Sequence, residues 1–139
     1  MPSDKVREIS GNGYTAEIPE NFKSKAGKIA GAIESKKFDN GPVDCFVQFD
    51  VFDASKQNDL DKIVETNKAA YKATSSTSTT IGGQKAAVIS YAPGKDVNAK
   101  VNFVVKGNKM YRITTSWYAP DKDYYLPAFE KTIKSMQLL

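Results

Sequence analysis

The chain has 139 residues and no histidine. That absence removes the commonest general base, the Ser-His-Asp and Cys-His nucleophile systems, and the usual imidazole ligands of zinc and copper. Cys45 is the only cysteine, which excludes an internal disulfide and any CxxC redox or zinc motif. No apolar run approaches the length of a membrane span. The phosphate-loop pattern GxxxxGK[ST] is missing, and Gly82, Gly83 and Gly107 stand where turns between strands are expected. Hydrolytic chemistry here would have to rest on carboxylates or lysines.

Charge is not concentrated either. Twenty Lys and Arg against sixteen Asp and Glu leave a net charge of +4. The basic residues are scattered, with short groups at Lys23 to Lys28 and at Lys36 and Lys37. Nothing resembles a nucleic-acid arm, so no nucleic-acid partner is expected, whereas attraction to an acidic partner is allowed. With 40% hydrophobic and 26% charged residues, the composition is that of one folded domain, 1–139. Met1-Pro2-Ser3-Asp4-Lys5 has no apolar character, so the protein is expected to be cytoplasmic or to have lost a leader.

What is present is mostly strand. Val6 to Ile9 and Tyr14 to Ile18 flank Gly11-Asn12-Gly13 and predict an opening hairpin, stopped by Pro19. Pro19 to Lys28 is polar, with Phe22 as a plug for the core. Ile29 to Phe38 is weakly β-like and turns at Asp39-Asn40-Gly41-Pro42 into a strand over Asp44 to Asp53. There Cys45, Val47, Phe49 and Val51 share a core face, while Phe46, Gln48, Asp50 and Phe52 form a mixed face that a helix partly covers.

Asn58 is the expected N-cap of a helix reaching about Ala73, with Leu60, Ile63, Val64, Asn67 and Tyr71 at helical spacing. The Ser/Thr run Thr74 to Thr80 leads into a short strand, and strands follow over Gln84 to Tyr91, Ala99 to Lys106 and Lys109 to Tyr118. The last pair is joined by Gly107-Asn108, a strong two-residue hairpin signal. Leu126, Phe129, Ile133 and Met136 predict a closing helix. This order favours an α+β fold, an antiparallel sheet of about six strands flanked by helices.

Few residues invite chemistry. Asp50, Asp53, Asp59 and Asp61 form the densest acidic group, but Asp50 and Asp53 alternate in a strand and so face opposite ways. They read as solvated strand-end and helix-start carboxylates, with no metal or cofactor expected. Cys45, in register with Val47 and Phe49, reads as a buried, inert thiol. Trp117 shares the face of Ile113 and reads as packing, which leaves Arg112, Tyr118 and Tyr124 as candidate surface-recognition residues.

Tyr14-Thr15-Ala16-Glu17-Ile18-Pro19-Glu20-Asn21-Phe22, Ile81-Gly82-Gly83-Gln84-Lys85-Ala86, Met110-Tyr111-Arg112-Ile113-Thr114 and Phe129-Glu130-Lys131-Thr132-Ile133-Lys134-Ser135-Met136 together resemble the PsbP-like family. The resemblance spans most of the chain. It implies an α/β/α sandwich, and members that are non-enzymatic extrinsic subunits or exported bacterial lipoproteins; the best-known member assists the oxygen-evolving photosystem in the thylakoid lumen. This chain departs from such a subunit in having no histidine and no long N-terminal docking extension. The resemblance therefore implies a bacterial stand-alone relative, extracytoplasmic and lipid-anchored or exported.

Two expectations follow. One is a non-catalytic binding or accessory domain whose basic surface, with exposed Tyr and Arg, meets a protein or the acidic cell envelope. The other is a small-ligand carrier or carboxylate-dependent enzyme, with an aromatic-lined pocket between sheet and helix approached by Asp50.

Overall fold

A computed structural model describes residues 1–139. In chain order the elements are β1 (Val6–Gly11), β2 (Tyr14–Pro19), β3 (Lys23–Lys25), β4 (Glu34–Asp39), β5 (Phe46–Asp53), α1 (Leu60–Lys68), β6 (Thr77–Ile81), β7 (Gln84–Gly94), β8 (Val97–Lys106), β9 (Lys109–Tyr118), a 3-10 turn (Ala119–Asp121), α2 (Lys122–Ser135) and β10 (Gln137–Leu138). The fold is α+β, with more strands than expected. Seven form one antiparallel sheet in the order β3-β4-β5-β9-β8-β7-β6, and β1, β2 and β10 form a second, smaller sheet.

The opening hairpin forms as its turn chemistry requires. Gly13 takes a positive φ of 84°, where a β-carbon is penalised. At Gly11 a β-carbon would strike the Tyr14 ring and the Glu34 carboxylate. The Gly107-Asn108 turn joins β8 and β9 in register from Lys106 opposite Lys109 to Val97 opposite Tyr118.

Several boundaries differ from expectation. The first helix is capped by Asp59, not Asn58: the Asp59 carboxylate accepts from the Lys62 amide at 3.3 Å. It ends at Lys68 rather than near Ala73, because the Lys68 carbonyl accepts from both Tyr71 and Ala73 amides while Lys72 takes a φ of 54°. The polar Pro19 to Lys28 stretch contains β3, and two residues after α2 pair with β2 as β10. Both strands are too short to leave a periodic signal.

Twenty buried hydrophobic residues make one core between the large sheet and the layer of α2 and the small sheet. Tyr14 stacks on Phe49 with ring centroids 5.3 Å apart and meets Tyr111 edge-on at 6.0 Å. Cys45, Val47, Phe49 and Val51 all face this core, as does Trp117. On the opposite face α1 packs Ile63 and Val64 against Ala87, Ile89, Val101 and Phe103 of β7 and β8. Pro127 lies within α2; the phasing of Tyr125, Phe129 and Thr132 on the buried side carries the helix past it.

Candidate functional site

Because α1 has nine residues and lies over β7 and β8, no helix covers the same face of β3, β4, β5 and β9. Residues paired across antiparallel strands share a face. The register therefore places Lys23, Lys25, Lys37, Asp39, Phe46, Gln48, Asp50, Phe52, Met110 and Arg112 together there.

Asp50 anchors this face. It is 2% exposed, and its Oδ2 accepts from Arg112 Nη2 at 3.2 Å while its Oδ1 accepts from Gln48 Nε2 at 3.1 Å. The Arg112 guanidinium lies 4.8 Å from the centre of the Phe52 ring, and Lys37 Nζ lies 4.2 Å from that of Phe46. Each cation is thus held on an aromatic face. Lys25 approaches Asp39 at 4.0 Å. Beyond Arg112, Tyr71 packs on Tyr91 at 4.7 Å between centroids. Burial raises the pKa of both phenols; at Tyr71 the Arg112 charge opposes the rise and Asp50 adds to it, and at Tyr91 the proximity of Tyr71 adds.

The three residues singled out from sequence are not one site. Arg112 and Tyr118 share a face of β9, but six residues of strand separate them by roughly 20 Å. Tyr118 is 42% exposed at the end of that strand. Tyr124, 52% exposed, stands on α2 in the opposite layer, beside Pro2 and Pro127.

The acidic group is dispersed as well. Asp50 is committed to Arg112 and Gln48. Asp53 accepts from the Ser55 amide at 3.0 Å and hydroxyl at 2.8 Å, which lowers its pKa. Asp59 caps α1, and Asp61 lies 3.9 Å from Lys85. Cys45 is buried, with its Sγ 3.5 Å from the Tyr118 amide.

A groove of about 550 Å³ does run between the sheet and a helix, but on the other face. It lies between α2 and the open side of β6, β7 and β8, and Phe129 is its only aromatic residue. Asp50 does not reach it. Sequence reasoning missed this groove. Its signal was Lys100 and Asn102 alternating with the β8 residues that face α1, at positions where a covered strand carries apolar residues.

No family model matches the sequence, and no curated protein matches it. Solved structures do. The chain aligns over 96% of its length with cyanobacterial PsbP (CyanoP) from Synechocystis sp. PCC 6803, covering 92% of that chain at 13% identity and a TM-score of 0.72. It aligns over 96% of its length with LpqN, involved in cell envelope biogenesis of Mycobacterium tuberculosis, covering 90% of that chain at 11% identity and a TM-score of 0.63. It aligns in full with a Bacteroides thetaiotaomicron VPI-5482 protein at 14% identity and a TM-score of 0.67, and spans 49% of that protein's length. The fold is PsbP-like, as the sequence resemblance implied. No helix is long and apolar enough to cross a membrane.

Proposed function

We propose that residues 1–139 form one non-catalytic binding domain, an accessory component that meets an acidic protein partner through the open half of its large sheet. The observation that carries this is the charge of that face. Lys23, Lys25, Lys37 and Arg112 are set against Asp39 and Asp50, and both carboxylates are buried. What faces outward is lysine beside half-buried Phe46 and Phe52, the mixture of cation and aromatic area that protein interfaces favour. The lack of histidine and the commitment of Asp50 to a guanidinium support a binding role over catalysis. The structural likeness to LpqN supports an extracytoplasmic setting, exported or lipid-anchored.

The test is retention of acidic proteins from a cell-envelope extract by the wild-type domain and by a Lys25→Glu/Lys37→Glu variant. The reading expects a protein held at about 0.01 M ionic strength, released near 0.15 M as the Debye length falls from roughly 30 to roughly 8 Å, and not held by the variant. Nothing held at low ionic strength, or equal retention by the variant, overturns it. Recovery of anionic lipid vesicles in place of a protein also overturns the choice of partner.

A further inference from the structure

The large sheet ends in two edges of different character. β3 is three residues long and carries Lys23 and Lys25, the short, charged form that discourages strand addition. β6 is Thr77-Ser78-Thr79-Thr80-Ile81, without charge or proline, and pairs with β7 in unbroken register. Its first four side chains are exposed. In an antiparallel pair alternate residues direct their N–H and C=O groups away from the partner, so β6 offers unpaired backbone groups along its outer side.

Concave surfaces flank this edge on both sheet faces. On the α2 side lies the groove of about 550 Å³, with Thr77 and Thr79 at its rim and Leu126, Phe129 and Ile133 as its apolar wall. On the α1 side a hollow of about 240 Å³ is bounded by Ser76, Ser78, Leu60 and Val64. Successive side chains of an extended strand point to opposite faces at about 3.3 Å per residue. A strand laid against β6 would therefore send its side chains alternately toward one hollow and the other.

We propose that β6 is a docking edge for an extended peptide segment of a partner protein, added as an eighth strand with large apolar side chains and an acidic residue on its α2-facing side. The charges assign that side. Lys100, Lys134 and Glu130 line the α2 groove with no ion pair among them, which leaves it net positive, whereas on the α1 side Lys68 lies 3.1 Å from Glu65 and Lys85 lies 3.9 Å from Asp61. Asn102, 5% exposed, lines the groove and spends its amide nitrogen on the Ile113 carbonyl at 3.1 Å. That leaves its carbonyl oxygen as an acceptor for a polar group of the segment. A second copy of this chain fits poorly. Its β6 brings only Ser and Thr side chains and the buried Ile81, which would leave the apolar wall unfilled.

Selection of a randomised short-peptide library on the intact protein, followed by amide hydrogen exchange with the enriched peptide, tests this. The expected result is enrichment of peptides alternating large apolar residues, with an acid among them, and new protection of β6 amides. N-methylation of the peptide at alternate residues should weaken binding at least about tenfold in one phase only, the loss expected when strand-pairing N–H groups are blocked. The exposed substitution Lys134→Glu should weaken it several-fold. No enrichment, protection elsewhere than β6, equal sensitivity to methylation in both phases, or dimerisation of the protein through β6 each overturns the proposal.

Discussion

On its α2 side the large sheet contributes to a continuous core of twenty buried residues; on its α1 side the second core holds six. β7 and β8 contribute to both, while the buried hydrophobic residues of β4, β5 and β9 belong to the larger alone. The difference lies in what covers them: a fourteen-residue helix with a three-stranded sheet on one side, and a nine-residue helix on the other. Apolar burial, and with it most of the hydrophobic stabilisation, is concentrated on the first face. The second is left able to hold a buried carboxylate, a guanidinium and lysines resting on aromatic rings, groups that a sealed core would penalise.

If stability is lodged asymmetrically, equivalent truncations should cost unequal amounts. Ile113→Ala, 1% exposed in the large core, is expected to cost about 4–5 kcal/mol, and Ile63→Ala, 9% exposed beneath α1, only about 2 kcal/mol. Urea denaturation monitored by circular dichroism measures both, and equal losses would break the asymmetry. Asp50→Ala comes next. It leaves Arg112 without its carboxylate, and because the guanidinium is partly solvated the expected cost is about 2–3 kcal/mol, below the 3–5 typical of enclosed pairs. Asp50→Leu combined with Arg112→Leu should recover most of that loss, since no buried charge remains unpartnered. A double variant as unstable as Asp50→Ala would mean that packing around Asp50, rather than charge, is what the single change destroys.

The sequence disclosed the sealed face better than the open one, and the reason is physical. Alternation in β5 and β9 follows directly from strand geometry, and it alone puts Val47, Phe49, Ile113 and Trp117 on the core face. The same alternation brought Gln48, Asp50 and Phe52 to one face. What it does not contain is the strand order that lays β9 beside β5 and so pairs Asp50 with Arg112, sixty-two positions away. Nor does it contain the length of α1, which Lys72 ends early by taking a left-handed conformation. With α1 extended to Ala73 the open half of the sheet would have seemed covered. The groove beside α2 was hidden for a related reason: Lys100 and Asn102 look like ordinary solvated strand residues until α2 is placed along one side of them.

The open face can be tested apart from the fold. Lys37 is half-buried over Phe46 at the surface, so Lys37→Glu gives up one cation–π contact and should lower stability by no more than about 1 kcal/mol. Association with an acidic partner should weaken by about three- to tenfold at low ionic strength, chiefly through the on-rate. Glu130→Lys, on α2 across the molecule, should leave association at this face unaltered. Tighter association of Glu130→Lys, by about as much as Lys37→Glu weakens it, would reduce the interaction to net charge and remove the assignment to this face.

The smallest expected effect belongs to the sealed face. Tyr14 is fully buried, its hydroxyl has no hydrogen-bond partner, and burial, reinforced by the nearby Glu34 and Asp50, raises its pKa far above the ordinary 10.0. Tyr14→Phe removes an unsatisfied polar group and is expected to stabilise the protein at neutral pH by about 0.5–1 kcal/mol. The pH dependence has a definite sign. A phenol whose folded pKa is raised keeps its proton in the native state after the unfolded chain has lost it, so its contribution is complete below pH 10 and declines as pH rises beyond. Tyr71, Tyr91, Tyr111 and Tyr125 are shifted in the same direction, so stability should fall progressively above pH 10. The Tyr14→Phe variant should fall less steeply than the wild type in denaturant titrations at stepped alkaline pH. A variant less stable than wild type at neutral pH would show that the hydroxyl contributes to the fold, and an unchanged alkaline slope would remove Tyr14 from the groups that titrate on unfolding.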